Sequence, residues 1–267
     1  MHDETTLNRT IALDGTVNTR DVGGLPLAGG GQVATGVLLR SDNLQDLSPD
    51  DVESLVVGHG VRTVVDLRTE FELRSEGPGP LNDEPRVSVE HHSLYPATGG
   101  GTDLDLDDAT IKPWGDGQGA DLPDETPTVR AYLGYLERRP DSIAAALRAI
   151  TTTDGAVLVH CAAGKDRTGM VVALALAVTG VPVEAIAADY VETGENIAEI
   201  VGRLAGSPTY AREMHMDQVD KHRPPAGTME RLFELLDEQH GGFEAWLRGA
   251  GLSDEELAAI RSRLSGA

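Results

Sequence analysis

The chain of 267 residues has a single cysteine, three lysines and few aromatic side chains. One cysteine excludes an intramolecular disulfide and is typical of a protein from a reducing compartment. No uninterrupted apolar stretch approaches the roughly eighteen residues that a membrane-spanning helix requires. The first residues lack the basic and apolar parts of a secretory signal. We therefore expect a cytoplasmic protein with no integral membrane segment, although secretion without such a signal stays open.

Basic side chains are scarce as well. The chain has 22 Lys and Arg against 44 Asp and Glu, a net charge of −22. This charge argues against nucleic acid as a partner and disfavours binding to anionic membranes. A chain of this length buries roughly 70–75% of its unfolded surface, so it needs no disulfide or metal to fold.

The pattern around which the chain is organised lies at residues 156–178. Residues 156–159 read as a buried strand, residues 161–167 as a tight loop, and residues 170–178 as an apolar core helix. In a strand–loop–helix of this kind, the backbone N–H groups of the loop and of the first helical turn converge on one spot. Unpaired donors and the positive end of the helix dipole make that spot a phosphate site.

This loop also carries reactive side chains. Cys161 lies at its entrance and Arg167 at its exit, and a cysteine beside basic groups at a helix N-terminus is expected to ionise and act as a nucleophile. Such a Cys and Arg spacing is a weak signal alone, and a buried cysteine is usually inert. The flanking strand and helix, with Gly164 and one of only three lysines, favour catalysis. The predicted phosphate-binding residues are Ala162, Ala163, Gly164, Lys165, Asp166, Arg167 and Thr168.

Residues 160–169 are similar to the signature loop of the cysteine-dependent protein tyrosine phosphatase superfamily. Their Gly-Lys-Asp-Arg-Thr-Gly form resembles the atypical bacterial tyrosine phosphatases, which also accept phosphoserine, phosphothreonine and phosphoinositides. Residues 18–24, 39–41, 64–68 and 189–190 extend the resemblance, which is loose between residues 98 and 125.

The residue types predict the mechanism. Cys161 attacks phosphorus to give a phosphocysteine, and Arg167 grips two phosphate oxygens. Lys165 adds a point charge that suits a second phosphate, and His160 supports the loop. Thr168 either donates its hydroxyl to the Cys161 sulfur or caps the helix. This chemistry requires no metal and no cofactor.

The leaving group needs an acid, and the sequence has no Trp-Pro-Asp tripeptide to supply it as in better-known tyrosine phosphatases. Residues 113–116 look close to that motif only by chance. The resemblance favours Asp166 in the loop and Asp66 at the end of a neighbouring strand, since a carboxyl group beside a phosphate dianion holds its proton. Asp66 could instead pair with Arg68, and Asp166 could instead hold the loop. We favour Asp166.

Further polar residues are candidates for the pocket rim. Arg20, Asp21 and Arg40 are predicted there, with a plain surface ion pair as the alternative for each. The neighbouring residues His91 and His92 alternate across a strand and therefore cannot share a metal.

The alternation of strands and helices predicts an α/β domain. Its expected architecture is a central, mostly parallel sheet flanked by helices, like a protein tyrosine phosphatase, with a helical C-terminal third. We expect residues 1–10 to be flexible and residues 11–267 to form a single domain. Strands are predicted at residues 11–14, 36–40, 61–67 and 87–90. Helices are predicted to begin at Ser48, at Thr69, which forms a capping box with Glu72, and at Thr126, with Tyr132 on the apolar side of that helix; Asp141 is predicted to cap another. Further helices are predicted at residues 184–192, 195–204, 229–239 and 253–264, the last with a capping box of Ser253 and Glu256. Residues 98–125 are either a lid or mobile.

The predicted function is a tyrosine phosphatase of relaxed specificity that acts on a phosphorylated protein or small phosphoester. A close variant would act on phosphoinositides or inositol phosphates. From other classes, a non-catalytic phosphate-binding module is opposed by the presence of both Cys161 and Arg167. A sulfurtransferase would not require Arg167 and Thr168, and an arsenate reductase usually has a second cysteine. The oligomeric state is not predicted.

Overall fold

Strand β5 (Ala156–His160) lies at the centre of the sheet and leads directly into the predicted phosphate loop. The computed structural model of the protein describes residues 9–95, 120, 122–212 and 214–266. The other strands in these residues are β1 (Arg20–Asp21), β2 (Leu38–Ser41), β3 (Val61–Asp66) and β4 (Ser88–His91). The strand order is β1-β2-β5-β3-β4. Only β1 is antiparallel to its neighbour, so the mostly parallel sheet is confirmed.

Helices flank this sheet and make up the C-terminal third of the chain, as predicted. In the described part of the chain they are α1 (Pro49–Glu53), α2 (Glu70–Glu76), α3 (Pro127–Arg138), α4 (Pro140–Ala149), α5 (Asp166–Thr179), α6 (Val183–Glu192), α7 (Ile197–Ala205), α8 (Thr228–His240), α9 (Phe243–Gly249) and α10 (Asp254–Ser265). A π-helical turn (Ser54–Gly58) and the 3₁₀ turns Pro80–Asp83, Thr193–Asn196 and Met216–His222 complete them. Helix α9 and the turn Met216–His222 were not predicted.

The side chains of β5 are buried on both faces of the sheet. Val157 and Val159 pack into the larger hydrophobic cluster, which also contains helix α5. Ala156 and Leu158 pack into a smaller cluster on the opposite face. Alternate side chains of a strand point to opposite faces, so a strand covered on both sides is apolar throughout. That composition is why the sequence identifies β5.

Predicted helix starts are confirmed where a side chain caps the helix. Ser48, Thr69 and Ser253 each accept a hydrogen bond from the backbone N–H three residues later, and an acidic side chain at that later position accepts one in return. Thr126 likewise accepts from the N–H of Val129. These motifs are local, which makes them readable from the sequence.

Two secondary-structure predictions are wrong. Residues 11–14 do not form a strand, because the carboxylate of Asp51 takes the backbone N–H groups of Asp14 and Gly15, at 2.8 and 2.9 Å. Asp141 does not cap helix α4. The cap position is occupied by Arg139, Pro140 is the first helical residue, and Asp141 lies in the first turn.

The end of the N-terminal segment expected to be flexible also needs revision. Arg9 and Thr10, predicted to be flexible, are held in place: the Asp21 N–H donates to the Arg9 carbonyl at 2.9 Å, and Thr10 bridges to Arg20. Residues 1–8 and most of the predicted lid or mobile segment, residues 98–125, lie outside the described residues. None of the helices described here is long and apolar enough to cross a membrane.

Candidate active site

The loop between β5 and α5 makes a turn that only glycine permits. Gly164 has a φ of +63°, and a Cβ atom there would lie 2.5 Å from the carbonyl oxygen of Ser41. An L-residue at this position would be strained and would also collide with the end of β2. The loop is therefore packed tightly against the neighbouring strand.

Surrounding residues bind the carbonyl groups of the loop from outside. The Asn43 N–H donates to Ala162 O at 3.0 Å, Asn18 Nδ2 to Ala163 O at 3.2 Å, and Arg40 Nη2 to Gly164 O at 2.8 Å. The N–H and C=O of a trans peptide point in opposite directions. The N–H groups that follow these three carbonyls therefore point away from the surrounding residues. This arrangement leaves backbone donors for an anion.

Cys161 is the first residue of the loop and is only 2% exposed. The preceding side chain supports it, because His160 Nδ1 lies 3.3 Å from the Cys161 carbonyl oxygen and Nε2 lies 3.5 Å from Asp66 Oδ2. These contacts join the end of β5 to the end of β3. A supporting role for His160 stays a prediction.

Arg167 is held by a carboxylate that the sequence analysis did not assign to the site. Its Nη1 and Nη2 donate to the two oxygens of Glu72 at 2.6 and 2.8 Å, and Nη1 also lies 3.3 Å from Leu67 O. The Tyr210 hydroxyl donates to the same carboxylate, and the Arg167 guanidinium stacks 5.7 Å from the Tyr95 ring centre. None of these bonds uses the Arg167 Nε–H. Nη2 also lies 3.4 Å from the Tyr210 hydroxyl, so Glu72 and Tyr210 hold the terminal nitrogens and leave the Nε–H to other partners.

The Glu72 and Arg167 pair is buried, and each partner stabilises the charge of the other. Burial alone would raise the pKa of the Glu72 carboxyl, but Arg167 outweighs it and lowers that pKa. Burial likewise opposes the charge of Arg167, yet Glu72 holds its pKa well above the usual range. Both groups are therefore ionised at neutral pH. The guanidinium is fixed before any substrate arrives.

The two candidate acids occupy different environments. Asp66 is buried at the end of β3 and binds Arg68 through Nε and Nη2, with a shortest distance of 2.7 Å. Burial would raise its pKa, but His160 and Arg68 hold the pKa well below the usual range. Asp166 is the first residue of α5 and its side chain is 29% exposed. Its Oδ1 accepts from the Tyr132 hydroxyl at 2.9 Å.

Lys165 and Thr168 complete the loop. Lys165 precedes helix α5, and its Nζ donates to the carbonyl of His222 at 2.7 Å. The Thr168 hydroxyl is buried and has no hydrogen-bond partner within the part of the chain described. Thr168 is the third residue of helix α5, so it does not occupy the cap position. A buried hydroxyl beside the loop is available to a group that binds there.

The residues predicted for the pocket rim make structural contacts. Arg20 and Arg40 are 3% and 1% exposed, and both bind the buried carboxylate of Asp189. Asp21 accepts from the backbone N–H groups of Gly23 and Gly36, at 2.8 and 2.6 Å, and so holds a turn. The burial of Arg20 and Arg40 contradicts the rim prediction for these two, while for Asp21 it stays a prediction. Arg40 supports the phosphate loop through its hydrogen bond to the Gly164 carbonyl.

Asp189 is the centre of this support, because three arginines converge on it. Arg9 lies 2.7 Å from its carboxylate, Arg20 lies 3.3 Å away, and Arg40 binds its other oxygen. Burial would raise the pKa of Asp189, but Arg20, Arg40 and Arg9 together lower it far below the usual range. Burial, with Arg40 next, lowers the pKa of Arg20 to about 10. The cluster ties β1, β2 and α6 to the phosphate loop.

Asp189→Asn is expected to lower the free energy of unfolding at pH 7 by about 3 kcal/mol, because it leaves buried arginines without their counter-charge. The folded pKa is depressed, so this contribution is present above the unfolded value of about 3.9 and is lost as the pH falls below it. Urea unfolding from pH 7 to pH 3 should show the difference from wild type shrinking. In the control Asp220→Asn, whose side chain is 89% exposed, the change should stay under about 0.5 kcal/mol. Equal stability of Asp189→Asn and wild type at pH 7 would contradict this account.

Several functional residues escaped the sequence analysis. The sequence predicts Glu72 only as a helix-capping residue, and it does fill that role, but the same carboxylate holds Arg167. The sequence predicts Tyr132 only as a core side chain and gives no prediction for Tyr210. The signal available in the sequence is the scarcity of tyrosine. The chain has only five tyrosines, and in the structure every one is buried. A buried tyrosine hydroxyl needs a hydrogen-bond partner, and for Tyr132 and Tyr210 that partner is a carboxylate of the site.

Comparison with known proteins agrees with this geometry. A model of the tyrosine phosphatase family matches residues 11–266. A tyrosine-protein phosphatase from Nostoc commune is 30% identical over 235 residues, which cover 85% of this chain and 73% of that protein. The triple specificity protein phosphatase PtpB of Mycobacterium tuberculosis is 28% identical over 291 residues, covering 95% of this chain and 98% of that protein. The chain belongs to the tyrosine phosphatase family.

Proposed function

We propose that the protein hydrolyses phosphoric monoesters in two steps, through a phosphocysteine at Cys161. The observation that carries this proposal is the loop itself, whose carbonyl groups are bound from outside while Glu72 fixes the Arg167 guanidinium. Donors of this kind, fixed in advance, stabilise the charge that develops on the phosphoryl oxygens in the transition state. A buried thiol at the start of the loop completes the arrangement.

In the first step, Cys161 Sγ forms a bond to phosphorus while the bond from phosphorus to the ester oxygen breaks. Arg167 binds two equatorial oxygens through Nε and Nη2, and the N–H groups of residues 162–167 bind around the same phosphoryl group. In the second step, water attacks phosphorus and the bond from phosphorus to sulfur breaks. Inorganic phosphate and the Cys161 thiolate are regenerated.

Asp166 is proposed as the general acid. It donates a proton to the leaving oxygen in the first step, and its carboxylate takes a proton from water in the second. Its partial exposure and its place at the start of α5 support this role. Asp66 fits the role poorly, since Arg68 and His160 stabilise its ionised form. Asp66 is better suited to holding His160 and the strand end.

Thr168 and Lys165 have roles that follow from this mechanism. The Thr168 hydroxyl, buried and without a partner, is proposed to donate to the Cys161 thiolate that each turnover regenerates. Lys165 would leave the His222 carbonyl to bind a second phosphate or another anionic group of the substrate.

We infer that the main substrates are phosphotyrosyl proteins, with phosphoserine and phosphothreonine also accepted. The relatives are named as tyrosine-protein and triple specificity phosphatases, which supports this breadth. The alternative substrate is a phosphoinositide or inositol phosphate, which Lys165 favours. The net charge of −22 weighs against a substrate held in an anionic membrane. We place the protein in the cytoplasm, where its single thiol stays reduced.

The test is a substrate panel assayed with a chelator present. Phosphotyrosyl, phosphoseryl and phosphothreonyl peptides, a soluble inositol phosphate and a short-chain phosphoinositide are compared by kcat/KM. We expect hydrolysis of all three peptides, with phosphotyrosine the best by tenfold or more. A higher kcat/KM for either inositol compound would shift the assignment to the alternative. Phosphate binding without turnover on any substrate would instead indicate a phosphate-binding module.

A further inference from the structure

The proposed acid has a tyrosine bound to it. The Tyr132 hydroxyl, on α3, donates to Asp166 Oδ1 at 2.9 Å and lies 3.0 Å from the hydroxyl of Tyr190 on α6. Tyr132 and Tyr190 are 0% and 2% exposed. The contact thus connects a fixed core side chain to a carboxyl group at the edge of the phosphate loop.

Tyr132 stays protonated in this position. Burial, reinforced by the negative charge of Asp166, raises its pKa well above the usual range. One phenolic hydroxyl has one proton, and a carboxylate is a stronger acceptor than another phenol. Tyr132 therefore donates its hydroxyl proton to Asp166, and the Tyr190 hydroxyl is a second neighbour of the Tyr132 oxygen.

We propose that Tyr132 is a positioning residue that orients the Asp166 carboxyl group for proton transfer to the leaving group. The inference rests on the proposed role of Asp166. A bond to Oδ1 fixes the plane of the carboxyl group and leaves Oδ2 to carry the transferable proton. Oδ2 lies 3.6 Å from Lys165 Nζ, beyond hydrogen-bond distance. The same bond stabilises the carboxylate that remains after the transfer.

Leaving-group dependence tests this inference, because only a poor leaving group needs an acid. Phenyl phosphate and 2,4-dinitrophenyl phosphate are compared by kcat/KM, which reports the first step without the hydrolysis of the phosphocysteine, for wild type, Asp166→Asn and Tyr132→Phe. For Asp166→Asn we expect about a 10²-fold loss on phenyl phosphate and at most about a twofold loss on the dinitrophenyl ester. For Tyr132→Phe we expect about a tenfold loss on phenyl phosphate and again little on the other ester. In an Asp166→Asn background, Tyr132→Phe should have no further effect.

The matched control is Thr179→Val, at the far end of the helix that begins with Asp166. The Thr179 hydroxyl is also buried, but it donates to the Ala175 carbonyl at 2.8 Å, so the ratio of the two kcat/KM values should equal that of wild type. Equal losses of Tyr132→Phe on both esters would indicate a structural role and overturn the inference. If Asp166→Asn showed no difference between the esters, the assignment of Asp166 would fail together with the inference.

A second variant covers the case in which Tyr132→Phe does not fold. Tyr190→Phe leaves the Tyr132 hydroxyl in place and removes the Tyr190 hydroxyl that contacts it. We expect about a threefold loss on phenyl phosphate and no loss on the dinitrophenyl ester. Losses of equal size on both esters, or none on either, would overturn the inference.

Discussion

Cys161→Ser is expected to lower kcat by at least about 10⁴-fold on every phosphoester, because it removes the nucleophile of the first step. A serine hydroxyl stays protonated at neutral pH, and no described basic group is bound to this position in a way that would activate it. The replacement is nearly isosteric in a buried site, so the melting temperature should change by only a few degrees. Activity is measured by phosphate release with a chelator present.

The lone cysteine provides an independent check of the same residue. Iodoacetate can modify only one thiol in this chain, so one equivalent should inactivate the enzyme, and inorganic phosphate should protect it. The Cys161→Ser protein should retain binding of inorganic phosphate, since the backbone donors and Arg167 remain. Activity of Cys161→Ser within tenfold of wild type would place the active site elsewhere.

The central motif could be predicted because its signals are local. The apolar strand, Gly164 and the basic residues of the loop are adjacent in sequence, and each has a direct conformational or chemical meaning. The same is true of the capping residues Ser48 and Thr69, whose partners lie three residues away. Local structure of this kind needs no knowledge of the tertiary contacts.

The supporting contacts could not be predicted, because their partners are far apart in sequence. Glu72 binds Arg167 across 95 residues, and Arg40 binds Asp189 across 149. A buried arginine and a surface arginine cannot be told apart in a sequence. For this reason the sequence predicts Arg20 and Arg40 at the pocket rim. The contrast between Asp66 and Asp166 likewise depends on burial and on neighbouring charges.

Arg167→Lys is expected to lower kcat/KM by about 10³-fold, an effect second only to that of Cys161→Ser. A lysine ammonium cannot bind two phosphate oxygens in one plane, nor can it satisfy both oxygens of Glu72. Glu72→Gln keeps the guanidinium but removes its counter-charge, so the arginine is no longer fixed. We expect a smaller loss for Glu72→Gln, between about 10-fold and 10²-fold, and a stability lower by about 3 kcal/mol.

Matched controls separate these effects from a general response to altered charge. Arg248→Lys changes another arginine that binds two carboxylates, Glu244 and Asp254, and Glu70→Gln changes an exposed carboxylate on the same helix as Glu72. Both controls should keep kcat/KM within about threefold of wild type. The order of losses is the decisive result, since a fixed guanidinium requires Arg167→Lys to exceed Glu72→Gln and both to exceed their controls. If Glu72→Gln matched Glu70→Gln in activity and stability, the buried pair would have no part in positioning Arg167.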